Sequence, residues 1–200
     1  MPFERPTAMT DWATAMNRLQ YWEKKFRLKI LLLIAFVLST GLMPWLSAFA
    51  ADAMSDSAKH QRVMAMYADY RKDFAGVEEI DASAAIELVG NPEAVFVDVR
   101  SPEEQAVSMI PGAITSEVFL ADPDRFRGQR IIAYCTISFR SGKLAAKMGR
   151  RGITIVNLKG GLLAWAHAGG ALVRGYKQVK QLHVYGRKWD LAPSDIETVY

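Results

Sequence analysis

The sequence predicts an α/β protein whose central sheet is mostly parallel and is covered by helices on both faces. Two observations predict this class. Strand-like and helix-like segments alternate along the chain from about Val77 to Val173, the pattern expected when helices connect successive parallel strands. The run Arg130–Tyr134 is short and apolar after its first residue, as in a strand that is buried in a sheet.

The elements follow from local patterns in chain order. They are a helix over 56–74, a strand over 77–80, a helix over 81–89, a strand over 94–99, a helix from Ser101, a strand over 113–115, a helix over 117–125, a strand over 130–134, a helix over 143–151, a strand over 153–157 and a helix over 160–168. Pro102 falls at the first position of its helix, where proline is favoured. The helix over 56–74 carries an apolar stripe at helical spacing, which indicates packing rather than a ligand site.

A charged and then apolar leader precedes these elements. Residues 30–50 contain no charged side chain and follow a basic cluster over 24–29, and about 20 apolar residues can span a bilayer. The stretch ends in Ala48-Phe49-Ala50, the small-x-small pattern of a signal-peptidase site. We predict a signal peptide cleaved after Ala50, with the rest of the chain exported. The alternative is a retained membrane anchor, and translation from Met16 would shorten the long region before the apolar stretch.

Composition limits the classes of function. Of the 25 basic and 21 acidic residues, six basic and three acidic ones lie in residues 1–50, so the remainder is nearly neutral. No nucleic-acid partner is therefore predicted. The three histidines are scattered without metal-ligand spacing, so neither a metal nor a cofactor is predicted. The predicted organisation is a signal peptide or membrane anchor over 1–50, a helical extension over 51–76, an α/β domain over 77–173 and a C-terminal tail over 174–200.

The single cysteine, Cys135, is the strongest candidate for chemistry. It directly follows the strand Arg130–Tyr134 and precedes a helix, the usual place for ligand sites in open α/β sheets. Backbone N–H groups and the helix dipole favour an anion there, either a bound oxyanion or the thiolate itself. The alternative at this point is a small buried hydrophobic residue, which is a common fate of an unpaired cysteine.

Five motifs together resemble the rhodanese domain in order and spacing. They are Val97-Asp-Val-Arg100, Pro102-Glu103-Glu104, Ile110-Pro-Gly-Ala-Ile114, Tyr134-Cys-Thr-Ile-Ser-Phe-Arg140 and Leu158-Lys-Gly-Gly-Leu-Leu-Ala-Trp165. The resemblance covers about 77–173 and implies a rhodanese-like fold. It also implies sulfur transfer through a covalent persulfide on Cys135, a reaction that splits one transfer into two easier steps.

The resemblance further implies which residues surround that cysteine. Substrate binding would fall to the loop after it, which consists of Thr136, Ile137, Ser138, Phe139 and Arg140. The backbone amides of 136–140 would form an anion-binding nest, and Arg140 would attract an anionic donor. The span from Cys135 to Arg140 is six residues, as in rhodanese-like sulfurtransferases, whereas related phosphatases use a longer loop.

Four other positions qualify this interpretation. Asp98 and Arg100 are expected to brace the site, and the alternative for Arg100 is an ordinary ion pair with Glu103 or Glu104. Ser138 stands where the family commonly has glycine, so a positive φ at that position would strain the serine. Met109 stands where the family commonly has histidine, and methionine can fill such a site by packing.

The sequence therefore predicts an exported sulfurtransferase that moves sulfane sulfur from a small donor such as thiosulfate to cyanide or a thiol acceptor. It would be periplasmic or otherwise extracytoplasmic, or anchored in the cytoplasmic membrane and facing outward. The alternative is a non-catalytic, membrane-tethered rhodanese-like module that binds a protein through its tail and first helix.

Overall fold

A five-stranded parallel sheet forms the centre of the structure, as the alternating pattern predicts. In chain order its strands are β1 (Glu79–Ile80), β2 (Ala94–Asp98), β3 (Ile114–Thr115), β4 (Arg130–Tyr134) and β5 (Val156–Leu158). Their order across the sheet is β1-β5-β4-β2-β3, and every neighbouring pair is parallel. The central strand β4 has the bounds expected from its apolar run.

The computed structural model describes residues 25–27, 29 and 54–200. Of the predicted signal peptide or anchor over 1–50, only residues 25–27 and 29 are described, and its apolar stretch over 30–50 and its cleavage site lie outside the described residues. Within the described ranges, no helix combines the length and apolar character needed to cross a membrane.

Six helices accompany the sheet in residues 54–200. They are α1 (Asp56–Tyr70), α2 (Ala82–Ile86), α3 (Pro102–Val107), α4 (Ser116–Ala121), α5 (Phe139–Gly149) and α6 (Gly161–His167). Short 3₁₀ helices lie at Arg71–Phe74, Pro123–Phe126 and Arg187–Trp189.

Alternate residues of the strands supply two separate cores. On β4, Ile132 and Tyr134 pack with one face, and Ile131 and Ala133 pack with the other, because successive side chains of a strand point to opposite sides. The first core also takes buried residues of α1, α2 and α6. The second takes residues of α4 and α5. Helices thus cover both faces of the sheet, which confirms the predicted fold class.

Helix boundaries differ from the expected ones for local reasons. The α4 helix stops at Ala121 instead of reaching residue 125, because Asp122 precedes Pro123 and takes an extended φ of −150°. The α5 helix begins at Phe139, four residues earlier than its apolar pattern suggests. The α1 helix ends at Tyr70 and continues as a 3₁₀ turn.

The tail is folded against the domain. At its junction with the domain, β6 (Leu172–Arg174) pairs antiparallel with β7 (Lys177–Val179), and within the tail β8 (Gln181–His183) pairs parallel with β9 (Glu197–Val199). Its buried side chains join the core beneath α1 and α6, and they are Leu182, Val184, Leu191 and Ala192. The sequence left open whether the tail packs on the domain or serves a partner, and the structure shows that these four side chains are packed in the core.

Candidate active site around Cys135

Cys135 lies at the carboxyl end of the central strand. It follows Tyr134, the last residue of β4, and it is separated from the start of α5 by three residues. Its neighbours in the sheet are β2 on one side and β5 on the other. The residue is only 2% exposed, but it forms part of the floor of a cavity of about 410 Å³. The cysteine is therefore buried and also borders a cavity.

The carbonyl groups of the loop after Cys135 are held by the protein. The carbonyl of Cys135 accepts a hydrogen bond from Leu162 N–H at 2.9 Å, and that of Thr136 accepts one from Leu163 N–H at 3.1 Å. Gly142 N–H donates to the Ser138 carbonyl at 3.1 Å. Among the described residues, the N–H groups of 136–140 donate to no backbone or side-chain acceptor. The loop therefore has N–H groups left over for an anion, which is the requirement for a nest.

Two glycines allow the first turn of α6 to reach this loop. Gly160 and Gly161 have φ values of +66° and +59°, a conformation that glycine adopts without steric cost. A Cβ atom on Gly161 would lie 2.3 Å from the Cys135 carbonyl oxygen. The Gly-Gly pair thus brings the N–H groups of α6 within hydrogen-bonding distance of the cysteine loop.

Ser138 adopts the strained conformation that the sequence raised as a possibility. Its φ is +69°, and it is the only residue other than glycine with a positive φ in the described structure. The fully buried hydroxyl donates to the Leu158 carbonyl. Its own carbonyl also accepts a hydrogen bond from Asn157 Nδ2 at 3.2 Å. These bonds to β5 hold the loop in a conformation that a non-glycine residue rarely adopts.

Asn157 connects the loop to α1, a role that sequence reasoning missed. Its Oδ1 accepts from Ser141 Oγ at 2.7 Å, and its Nδ2 lies 3.4 Å from the Tyr67 hydroxyl. That hydroxyl donates to Glu79. Burial and the Glu79 carboxylate raise the pKa of Tyr67, so it stays a neutral donor. The sequence feature that could have indicated this role is the amide side chain of Asn157, which lies between two apolar residues in strand β5.

Arg140 forms a bidentate ion pair with Glu104. Arg140 Nη1 donates to Glu104 Oε2 at 2.6 Å, and Nη2 donates to Oε1 at 2.7 Å. Thr136 Oγ1 also donates to Oε1, at 3.0 Å. The Glu104 side chain is 3% exposed, against 34% for Arg140. The pair joins α3 to the cysteine loop, and it balances the positive charge that the sequence assigned to Arg140.

The pKa values of this pair reflect their contact. Burial by itself would raise the pKa of Glu104, but hydrogen bonds from Arg140 and from Ser101 N–H lower it to about 2. For Arg140, burial acts to lower the pKa, and its bonds to Glu104 together with the charge of a Cys135 thiolate raise it above its ordinary value. Both groups are therefore charged at neutral pH.

Sequence reasoning missed Glu104 as a partner of the loop. Ser101 and Glu104 form a capping box at the start of α3, in which Ser101 Oγ accepts from Glu104 N–H and Glu104 accepts from Ser101 N–H. Such a box explains the glutamate locally. Only the fold shows that its carboxylate also reaches Arg140.

Asp98 and Arg100 form a buried ion pair with each other. Arg100 Nη2 donates to Asp98 Oδ2 at 2.7 Å, and both side chains are fully buried. Arg100 also donates to the Ser108 carbonyl. The alternative prediction, an ion pair of Arg100 with Glu103 or Glu104, is wrong. The Arg100 side chain folds back onto Asp98 at the end of its own strand, and Glu104 pairs with Arg140 instead. The pair ties the end of β2 to the segment before Met109.

Met109 is held through its backbone. Its N–H donates to the Val173 carbonyl at 2.8 Å, and Val173 N–H donates back at 2.9 Å. This bridge attaches the start of the tail to the segment after α3.

Four aromatic side chains line the same cavity as Cys135, and we call them the aromatic wall. They are Tyr70, Phe139, Tyr185 and Trp189. The rings of Tyr70 and Phe139 lie 5.3 Å apart, and those of Tyr185 and Trp189 meet edge to face at 5.4 Å. The Arg140 guanidinium lies 5.7 Å from the centre of the Tyr185 ring. The sequence alone assigns no role to Tyr185 or Trp189.

The sequence predicts no metal or cofactor for this site. In the part of the chain that the structure describes, no group of three or more His, Cys, Asp or Glu side chains is arranged to hold a metal ion.

Comparison with known proteins points to one family. The family model described as the rhodanese-like domain matches residues 81–168. A protein of Allochromatium vinosum named sulfurtransferase is 33% identical over 99 residues, which cover 46% of this chain and 92% of that protein. A protein of Bacillus subtilis (strain 168), provisionally named sulfurtransferase YtwF, is 28% identical over 95 residues, 44% of this chain and 90% of the relative. One similar solved structure is from Rhodopseudomonas palustris and is described as a protein of unknown function and possible tyrosine phosphatase. Its sequence is 25% identical to this one, and the match covers 54% of this chain and 91% of the solved chain, with a TM-score of 0.43.

Proposed function

The chain belongs to the rhodanese-like domain family, and from that premise we propose that it transfers sulfane sulfur through a persulfide on Cys135. The sulfurtransferase names of its relatives support sulfurtransferase activity in general. The observation that carries the specific proposal is the loop after Cys135. Its carbonyls are bound to α6 and α5, while its N–H groups are left without protein acceptors in the described structure.

The proposed reaction has two steps. The Cys135 thiolate attacks the outer sulfur of thiosulfate, an S–S bond forms to the cysteine, and the bond between the two donor sulfurs breaks as sulfite leaves with the electron pair. An acceptor thiolate then attacks the outer sulfur of the Cys135 persulfide. The new S–S bond forms on the acceptor, and Cys135 leaves as a thiolate, ready for another cycle.

The groups around Cys135 either stabilise negative charge or hold the loop in position. The free N–H groups of 136–140 stabilise the negative charge of the thiolate and of the terminal persulfide sulfur. The Arg140–Glu104 pair fixes the far end of the loop, and Ser138 and Asn157 fix its middle. Asp98 and Arg100 touch neither Cys135 nor the loop residues through a hydrogen bond, so we assign them a supporting role at the end of β2.

We also propose that the protein acts outside the cytoplasm, after export or while anchored by residues 30–50. The support is the basic cluster over 24–29, the uncharged stretch after it and the Ala48-Phe49-Ala50 pattern. Under the anchored alternative, residues 54–200 face outward.

Intact mass spectrometry tests the proposed activity. Protein incubated with thiosulfate should gain about 32 Da, the mass of one sulfur, and cyanide or an excess of reducing thiol should remove it. Cys135→Ser should gain nothing while keeping its unfolding transition, because the hydroxyl is similar in size but cannot carry a persulfide. If the unmodified protein gains no sulfur from thiosulfate, polysulfide or a small persulfide, the non-catalytic binding module replaces the enzyme as the best interpretation.

A further inference from the structure

The aromatic wall comes largely from segments outside the family match over 81–168. Tyr70 is the last residue of α1, and Tyr185 and Trp189 belong to the tail. Only Phe139 lies within the match. The extensions on both ends of the domain thus contribute to the same cavity as Cys135. The cysteine loop forms without these extensions, so the aromatic side chains that they add are available to contact a molecule in the cavity.

The tail holds its two rings in place before any ligand enters. Leu182, Val184 and Leu191, which flank these rings in sequence, are buried in the core. His167 on α6 lies with its Nε2 2.8 Å from the Leu191 carbonyl. Thr198 Oγ1 donates to Asp190 Oδ1 at 2.8 Å. The segment that carries Tyr185 and Trp189 is therefore fixed at both ends, and Tyr185, which lines the cavity, remains 67% exposed.

Most of the side chains that line the cavity are apolar or aromatic. Arg140 is the cationic side chain that lines it, and both terminal nitrogens of its guanidinium are bonded to the Glu104 carboxylate. The guanidinium also lies 5.7 Å from the centre of the Tyr185 ring. The volume of about 410 Å³ falls in the range of about 300–1,000 Å³ that is usual for pockets that hold organic molecules.

We propose that the aromatic wall binds the apolar body of an organic thiol, preferably one with an aromatic ring, and that this thiol is the acceptor of the sulfur. The inference rests on the proposed function and specifies its second step. The ring of the acceptor packs against Tyr185 and Trp189, and its thiolate attacks the outer sulfur of the Cys135 persulfide. The acceptor leaves as an organic persulfide, and Cys135 leaves as a thiolate, so charge and sulfur balance without another reactant.

Single-turnover kinetics test this acceptor class. Protein loaded with sulfur from thiosulfate is mixed with 2-phenylethanethiol or with ethanethiol, which carry the thiol on the same two-carbon unit, and loss of the added mass is followed. We expect the second-order rate constant for 2-phenylethanethiol to exceed that for ethanethiol by about tenfold or more, because the ring leaves water on binding. Trp189→Ala and Tyr185→Ala should each lower this ratio toward one, and Trp189→Phe should largely retain it.

Tyr176→Ala is the matched control. Tyr176 is also a tail tyrosine, but it is fully exposed and does not line the cavity, so its removal should leave the ratio unchanged. Thermal unfolding of each variant shows whether the tail is still folded. If Trp189→Ala unfolds the tail, Tyr185→Ala becomes the variant that tests the proposed acceptor site. Tyr185 is largely exposed, so its removal should disturb the core little.

A second measurement does not depend on the persulfide. Alkylation of Cys135 by iodoacetamide should be slowed by 2-phenylethanol but not by ethanol at the same concentration, and Trp189→Ala should remove the protection. Equal rates with both alcohols would overturn the proposed binding. If sulfur loads but both thiols react at similar rates, this inference alone fails. If no sulfur loads at all, the proposed function fails and the acceptor role fails with it.

Discussion

Replacing Glu104 with glutamine should reveal how strongly the Arg140 pair stabilises the fold. Glutamine removes the charge but keeps the shape, and it can still complete the capping box at the start of α3. The carboxylate is almost fully buried and accepts hydrogen bonds from Arg140, Thr136 and Ser101. These partners lower its pKa from an ordinary value of 4.5 to about 2.

The size of the effect follows from this pKa difference. A group whose pKa is lower in the folded than in the unfolded state stabilises the fold above its unfolded pKa, and this stabilisation is lost as the pH falls through the folded pKa. A difference of about 2.5 pKa units corresponds to about 3 kcal/mol at pH 7 and about 1 kcal/mol at pH 3. We therefore expect Glu104→Gln to lower the free energy of unfolding by about 3 kcal/mol at pH 7 but by only about 1 kcal/mol at pH 3.

Urea denaturation of both proteins at pH 7 and pH 3, followed by circular dichroism, measures the difference. Glu103→Gln is the matched control, because Glu103 is the preceding residue on the same helix but is exposed and does not contact Arg140. It should change stability little at either pH. A loss in Glu104→Gln that is the same at both pH values would refute the argument, since it would then come from packing rather than from the charge.

Local sequence patterns were sufficient for the presence of parallel strands and for the position of Cys135, but not for the order of the strands or for the bounds of β1 and β5. The strand Arg130–Tyr134 was predicted with its observed bounds because its apolar run is bounded by charge at one end and by the cysteine loop at the other. Parallel pairing followed from the alternation of strands with helices. Cys135 then had to lie at a strand end next to a helix, which is where the structure has it.

Contacts between distant residues were not predictable in the same way. Arg140 and Glu104 are 36 residues apart, and no local pattern in the sequence links them. Arg100 shows the opposite error, because its partner Asp98 is only two residues away. Charge patterns on a helix suggested Glu103 or Glu104, but a strand end can fold an arginine back onto its own carboxylate.

The tail was unpredictable for a reason of scale. The strands β6 to β9, in the tail and at its junction with the domain, are three residues each, which is too short to show a period-two pattern clearly. The parallel pair of β8 with β9 encloses the turn that carries Trp189. Its place beside Cys135 depends on packing against α1 and α6, which no local pattern in the tail contains.

Three further predictions concern the loop and the leader. Exported protein should begin at Ala51 by N-terminal sequencing, and an intact leader on a membrane-bound form would instead support the anchor. Gly161→Ala should reduce both stability and sulfur loading much more than Gly169→Ala, because both glycines have a positive φ but only Gly161 faces the Cys135 carbonyl; equal losses would show that the close approach is unimportant. Ser138→Ala should lower the free energy of unfolding by about 1 kcal/mol, since it loses the hydroxyl bond to the Leu158 carbonyl. Ser138→Gly loses the same bond but relieves the strain of φ +69°, so urea denaturation should show it more stable than Ser138→Ala by about 1 kcal/mol. If the alanine variant is as stable as the glycine variant, the left-handed conformation costs nothing at this position, and strain does not explain why a serine there needs its bonds to β5.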